Sequence, residues 1–169
     1  VMYHSSVINP GLQAFPEEFV RLVGYDYDFS KGMRKSPKLE VIVHTDGEQE
    51  ICQGCARDFM TVQEDFFVNM APVPGTDVTV LATIRDEPGD YAPEKTQPHR
   101  RAEFAGLDIE KLPGMNQDVP VVWTNRYGLG RVFCVSIGHG PDTLRRPNFI
   151  GLLCRGAQWA ASGEIDIPY

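Results

Sequence analysis

With 169 residues, 42% of them hydrophobic and 23% charged, the chain has the size and composition of one globular domain, which excludes a disordered protein. Its apolar runs are too short to cross a bilayer, and a net charge of −7 denies it the basic footprint that nucleic-acid backbones require. A small molecule is therefore the expected partner, with no nucleic acid and no membrane, and with self-association into a homo-oligomer left open.

From the N-terminus, Val1-Met2-Tyr3 running into His4-Ser5-Ser6 predicts the end of a buried strand and a polar turn, where α/β folds place their chemistry. Phe15, Phe19, Leu22 and Val23 recur at helical spacing after a Pro/Gly entry, so a short amphipathic helix stopped by Gly24 is expected. Leu39 to Val43 and Val78 to Ile84 are rich in β-branched residues and bounded by Pro, Gly or Asp, and both predict strands. Phe66 to Asn69 predicts a further strand. Cys52-Gln53-Gly54-Cys55 has the spacing of a redox or zinc half-site, but it is a lone pair outside a strand–helix context and is read as structural. No signal-peptide pattern opens the chain, and two of the four cysteines lie in apolar segments where reduced thiols pack well, so a cytoplasmic setting is expected.

From about 86 to 119 the chain carries Pro88, Pro93, Pro98 and Pro113, and only a turn of helix near Leu107 to Leu112 is expected there. His99, Arg100 and Arg101 within it read as a solvated basic cluster, with an anion contact as the alternative. The C-terminal section is the most legible. Pro120 to Thr124 predicts a strand, Tyr127-Gly128-Leu129-Gly130 a turn, and Arg131 to Ile137 a second, mostly buried strand. The glycine pair joins two strands and so is a hairpin turn rather than a phosphate loop. Pro147 then opens a helix with Phe149, Leu152, Leu153, Gly156 and Ala160 on one face, and Gly163 ends it. This unit presents His139 at the mouth of a buried sheet.

Pro120-Val121-Val122-Trp123, the stretch Tyr127 to Phe133, Gly138-His139 and the stretch Arg155 to Ala161 resemble, in order and spacing, the closing signature of ThuA-like (trehalose-utilisation) proteins. His4-Ser5-Ser6, the helix ending in Gly24 and Glu64-Asp65-Phe66 resemble that family's upstream motifs. The resemblance implies an α/β fold, a flavodoxin-like three-layer sandwich similar to class I glutamine amidotransferases. It covers 1–169 as a single domain with a Pro-rich insertion at about 86–119. Family members carry further β/α units before the His-Ser turn, so the chain is expected to be the C-terminal two-thirds or so of the usual domain, lacking the N-terminal units. It departs from the family at Tyr27 to Gly32, where Gly-His is usual, at Gln49-Glu50-Ile51, where His-Pro-Ile is usual, and at Phe66, where Tyr is usual.

The resemblance also places His4 where an amidotransferase carries its Cys nucleophile and His139 where its catalytic His falls, so glutaminase chemistry is not expected. His4, His139 and Glu64 are expected at one edge of the sheet as the catalytic set. Histidine titrates near neutral pH, so one ring could take a proton beside a sugar carbonyl while a second group protonates the leaving oxygen. His4 and His139 with a carboxylate could instead ligate a divalent metal, the one cofactor these residues suggest. Ser5, Trp123 and Tyr127 are the expected substrate contacts, while Phe133 and Trp159 are read as core. The expected function is that of a carbohydrate-metabolism enzyme acting on a sugar or keto-sugar by hydrolysis, elimination or isomerisation. The alternative is a non-catalytic sugar-binding or oligomerisation module of the same fold.

Overall fold

The computed structural model describes residues 1–8, 16–28 and 37–168. Phe15 of the predicted helix and Phe29, Ser30, Lys31 and Gly32 of the divergent segment lie outside the described residues. A six-stranded sheet runs β1-β8-β7-β6-β3-β4, built from β1 (Met2–Tyr3), β3 (Glu40–Thr45), β4 (Asp58–Val62), β6 (Thr79–Arg85), β7 (Asp118–Tyr127) and β8 (Gly130–Val135). Only β1 and β8 pair in parallel, Met2 opposite Cys134 and Tyr3 opposite Val135. The remaining neighbours are antiparallel. A separate two-stranded ribbon pairs β2 (Tyr25–Tyr27) with β5 (Met70–Pro72).

Strand β8 explains the layering. Val132 and Cys134 join one buried cluster with Val7, Val23, Phe67 and Trp123, while Phe133 and Val135 join the other with Val41, Val121, Phe149 and Leu152. A strand apolar on both faces must be covered twice, which is why its sequence runs nearly unbroken in hydrophobic residues. Helix α1 (Glu17–Val23) covers the first face, and helix α2 (Pro147–Ser162) covers the second. The three-layer α/β sandwich expected from sequence is therefore present at β7 and β8. At β3 the pattern alternates instead, with Val41 and Val43 buried and Ile42 52% exposed, so that end of the sheet carries one open face.

Both helices stop at a glycine in the left-handed region, Gly24 at φ 87° and Gly163 at φ 86°. Gly156 matters for a different reason: a Cβ there would run into the ring of Phe133 on β8. Gly156→Ala should lower stability by about 1–3 kcal/mol, the usual cost of overpacking a filled core, and thermal melting will show it. An unshifted melting temperature would mean that α2 can ride away from the sheet.

Two readings need correction. Phe66 to Asn69 is not a strand. Phe66 and Val68 enter one core and Phe67 the other, Phe67 makes an isolated bridge, and the strand itself starts at Met70. The helical turn expected near Leu107 to Leu112 is present, as the 3-10 turn Ile109–Lys111. The Pro-rich insertion is a series of such turns, Pro88–Tyr91, Pro93–Lys95 and Pro98–Phe104 among them, each opened by its proline. It is tied to the segment leading into β3, where Leu39 N–H donates to Lys95 O and Gln97 N–H to Pro37 O, both at 2.8 Å, and to itself through the Tyr91 hydroxyl, which donates to Asp86 Oδ2 at 2.8 Å. Arg100, read as solvated, is buried.

Candidate active site

β1 and β8 run side by side in the same direction, so the turns that follow them emerge at one rim of the sheet. His4 opens a 3-10 turn directly after β1 with φ at 47°, in the left-handed region that an L-residue other than Asn, Asp or His seldom adopts. His139 follows β8 after Gly138, itself at φ 102°. The two imidazoles meet with ring centroids 5.0 Å apart and planes inclined by 50°. His4 is half-buried against Phe67, ring centroids 5.8 Å apart, and its Nδ1 shares a 2.9 Å hydrogen bond with the Ser5 hydroxyl. His139 is the outer member, its side chain 53% exposed.

Glu64 is fully buried beneath this rim. The main-chain N–H groups of Gly138 and His139 donate to its Oε2 at 2.8 and 3.1 Å, and the Thr143 hydroxyl donates to Oε1. Burial pushes its carboxyl above the ordinary value of 4.5, against the pull of those three donors and of the nearby His139. Glu64 therefore fixes the backbone that carries His139, and its oxygens face the loop rather than open space. Tyr3 completes the brace: its hydroxyl donates to Gly138 O at 2.5 Å, and burial, then the charge of Glu64, raises its pKa.

The next residue points the other way. Asp65 Oδ2 lies 3.6 Å from His139 Nδ1, and Asp65 Oδ1 accepts from Arg100 Nη1 at 2.9 Å. Arg100 comes from the Pro-rich insertion and also holds Glu103, Nη2 to Oε2, at 3.0 Å. Between the rim and the insertion lies a cleft of about 440 Å³, walled by Gln63, Asp65 and His139 on one side and Gln97, His99, Arg100 and Glu103 on the other. A larger cleft of about 530 Å³ lies over β3 and β4, lined by Ile42, His44, Met60 and Arg85 among others, and contains neither ring of the pair.

Of the expected site residues, His4, Ser5 and His139 come together, with Glu64 beneath them. Trp123 and Tyr127 do not. Trp123 is fully buried, its indole N–H donating to Val23 O at 2.8 Å and its ring edge-on to Tyr25 at 5.0 Å, so no ligand can reach it. Tyr127 sits at the hairpin end of β7 opposite Gly130, the end of the sheet away from His139. Neither Asp65 nor Arg100 was expected to face His139; the hints were an acidic pair placed directly before Phe66 and Phe67, where a charge must be paired to be buried, and the anion contact left open for the basic cluster.

Among the described residues, no three His, Cys, Asp or Glu side chains converge into a set that could hold a metal ion. The Cys52-x-x-Cys55 pair is structural in its surroundings. Burial pushes the Cys52 thiol up to about 12, its Sγ donates to Leu81 O at 3.6 Å, and Cys55 contacts Asn148. Neither is in a disulfide. No helix among the described residues is long and apolar enough to cross a membrane.

A family model described as ThuA, trehalose utilisation, matches residues 3–160. The chain is similar to the crystal structure of a ThuA-like protein from Parabacteroides merdae, with 19% identity and a TM-score of 0.66 over 99% of this chain and 61% of that one. It is likewise similar to a ThuA-like protein from Bacteroides uniformis, with 18% identity and a TM-score of 0.61 over 96% of this chain and 58% of the other. The chain thus spans less than two thirds of the length of either, and at these identities the likeness is one of fold. No curated protein matches.

Proposed function

This chain belongs to the ThuA, trehalose-utilisation, family, and from that premise we propose that it is a carbohydrate-processing enzyme that acts on a sugar or keto-sugar by histidine acid/base chemistry. The observation that carries the reading is the meeting of His4 and His139, 5.0 Å apart on two turns far separated in the sequence. Imidazoles so close can divide one proton transfer between them. One ring removes the proton next to a sugar carbonyl, and the other delivers a proton to the oxygen that leaves or to the enediolate that forms. The left-handed turn at His4 supports a role for that ring, since it presents the side chain at the end of β1 beside His139.

The adjoining cleft suits such a substrate. At about 440 Å³ it lies within the usual range for small-molecule sites, and hydrogen-bonding side chains line it throughout. Its cation, Arg100, is already engaged by Asp65 and Glu103, which favours neutral hydroxyl-rich ligands over sugar phosphates. The reaction is tested by incubating the protein with an oxidised disaccharide and following its loss, with His139→Ala alongside. Conversion by the wild type that disappears in the variant supports the reading. Conversion unaffected by His139→Ala rejects it, and sugar binding without conversion by either chain makes this a binding module instead.

A further inference from the structure

We propose that Asp65 is a positioning residue for His139 and that Arg100, contributed by the Pro-rich insertion, holds Asp65 in place for it; the proposal rests on the acid/base reading of this site. Asp65 is 12% exposed and Arg100 10% exposed in their side chains, against 53% for His139. The buried ion pair thus ends on an exposed ring. Arg100 Nη1 takes Asp65 Oδ1 at 2.9 Å, which turns Oδ2 toward His139 Nδ1 at 3.6 Å. Glu103 secures the other side of the guanidinium, its Oε2 within 3.0 Å of Nη2.

A pair of this kind is poor evidence for stability, because desolvating two charges offsets most of their attraction and apolar residues would fill the space as well. Orientation is what it supplies. A carboxylate facing Nδ1 favours the tautomer that carries its proton there, leaving the Nε2 lone pair for a substrate proton. The 3.6 Å separation exceeds a hydrogen bond, and such catalytic contacts commonly tighten in the substrate complex. Glu64 and Asp65 thereby divide the labour of fixing one histidine. Glu64 holds its main-chain N–H, and Asp65 sets its ring. The insertion is accordingly part of the active site, reaching His139 through Arg100.

Asp65→Asn tests this, because the amide keeps the volume and the acceptor for Arg100 while removing the charge that faces the ring. Two readouts are needed: the 15N signals of the His139 ring, and the steady-state kinetics of oxidised-disaccharide conversion. In the wild type the neutral ring should carry its proton on Nδ1, and in Asp65→Asn the Nε2–H form should become populated. Turnover should fall about 10–100-fold, the usual loss on removing a partner that orients a histidine, with KM changed by less than about 3-fold. Arg100→Gln should move both readouts in the same direction by less, and Arg100→Lys should restore part of the loss; these variants read the same ring should Asp65→Asn fold poorly. An unchanged His139 tautomer in both Asp65→Asn and Arg100→Gln, or a loss confined to KM, overturns the proposal. The ring signal does not depend on turnover. A tautomer change in a chain that converts no sugar removes the enzymatic reading alone, whereas conversion with an indifferent tautomer removes this inference alone.

Discussion

His139→Ala should lower turnover of an oxidised disaccharide by about 10²–10⁴-fold, the range that a positioned acid or base commonly contributes. The fold should be nearly untouched, because the contact that anchors this loop is made by the main-chain N–H of His139 and not by its ring. With the ring 53% exposed, removing it should change stability by less than about 0.5 kcal/mol. His4 calls for a different substitution. Its left-handed backbone tolerates asparagine better than alanine, so His4→Asn removes the imidazole with less strain. His4→Asn should cost turnover in the same range as His139→Ala, and the double variant should lose much less than the product of the two, since groups that act as a unit are not additive. Kinetics on the three variants, with melting temperatures as the control, decide the matter. Losses that multiply cleanly would mean that the rings act in separate steps.

The parts of this fold that were plain in the sequence are those where one period dominates. The hairpin of β7 and β8, helix α2 and the turn after β1 were legible because long apolar runs end at Gly, Pro or a polar triplet. Strand β4 was missed because Asp58 and Thr61 make it look polar, although its burial alternates once it pairs with β3. Trp123 was misplaced for a related reason. A strand buried on both faces gives no sequence sign of which face is core and which meets a ligand, and here α1 covers the tryptophan. The two histidines could be brought together from sequence only through the family resemblance. The Asp65–Arg100 pair had no such guide, because a contact across 35 residues leaves no periodic trace and the surrounding prolines suggested a solvated loop.

Glu64→Ala should be the most destabilising change at the site, by about 3–5 kcal/mol, because it orphans three buried donors and opens a cavity beneath the rim. Those donors are the N–H groups of Gly138 and His139 and the hydroxyl of Thr143. For a chain of this length the loss corresponds to a fall in melting temperature of roughly 6–20 °C. Glu64→Gln should recover most of it, since the amide oxygen can accept from both N–H groups while its NH₂ turns to the Thr143 oxygen. The two variants also separate the acid from its charge. Burial raises the Glu64 carboxyl above 4.5, so the folded state holds its proton more tightly than the unfolded chain does. The resulting stabilisation is complete below the unfolded value and is lost as pH rises through the higher folded value. Wild-type melting temperature should therefore decline relative to Glu64→Gln as pH climbs from about 4 toward neutrality, where the variant has nothing to titrate at this position. If the wild type instead gains on Glu64→Gln over that interval, the three donors outweigh desolvation, and the carboxylate is held charged beneath His139.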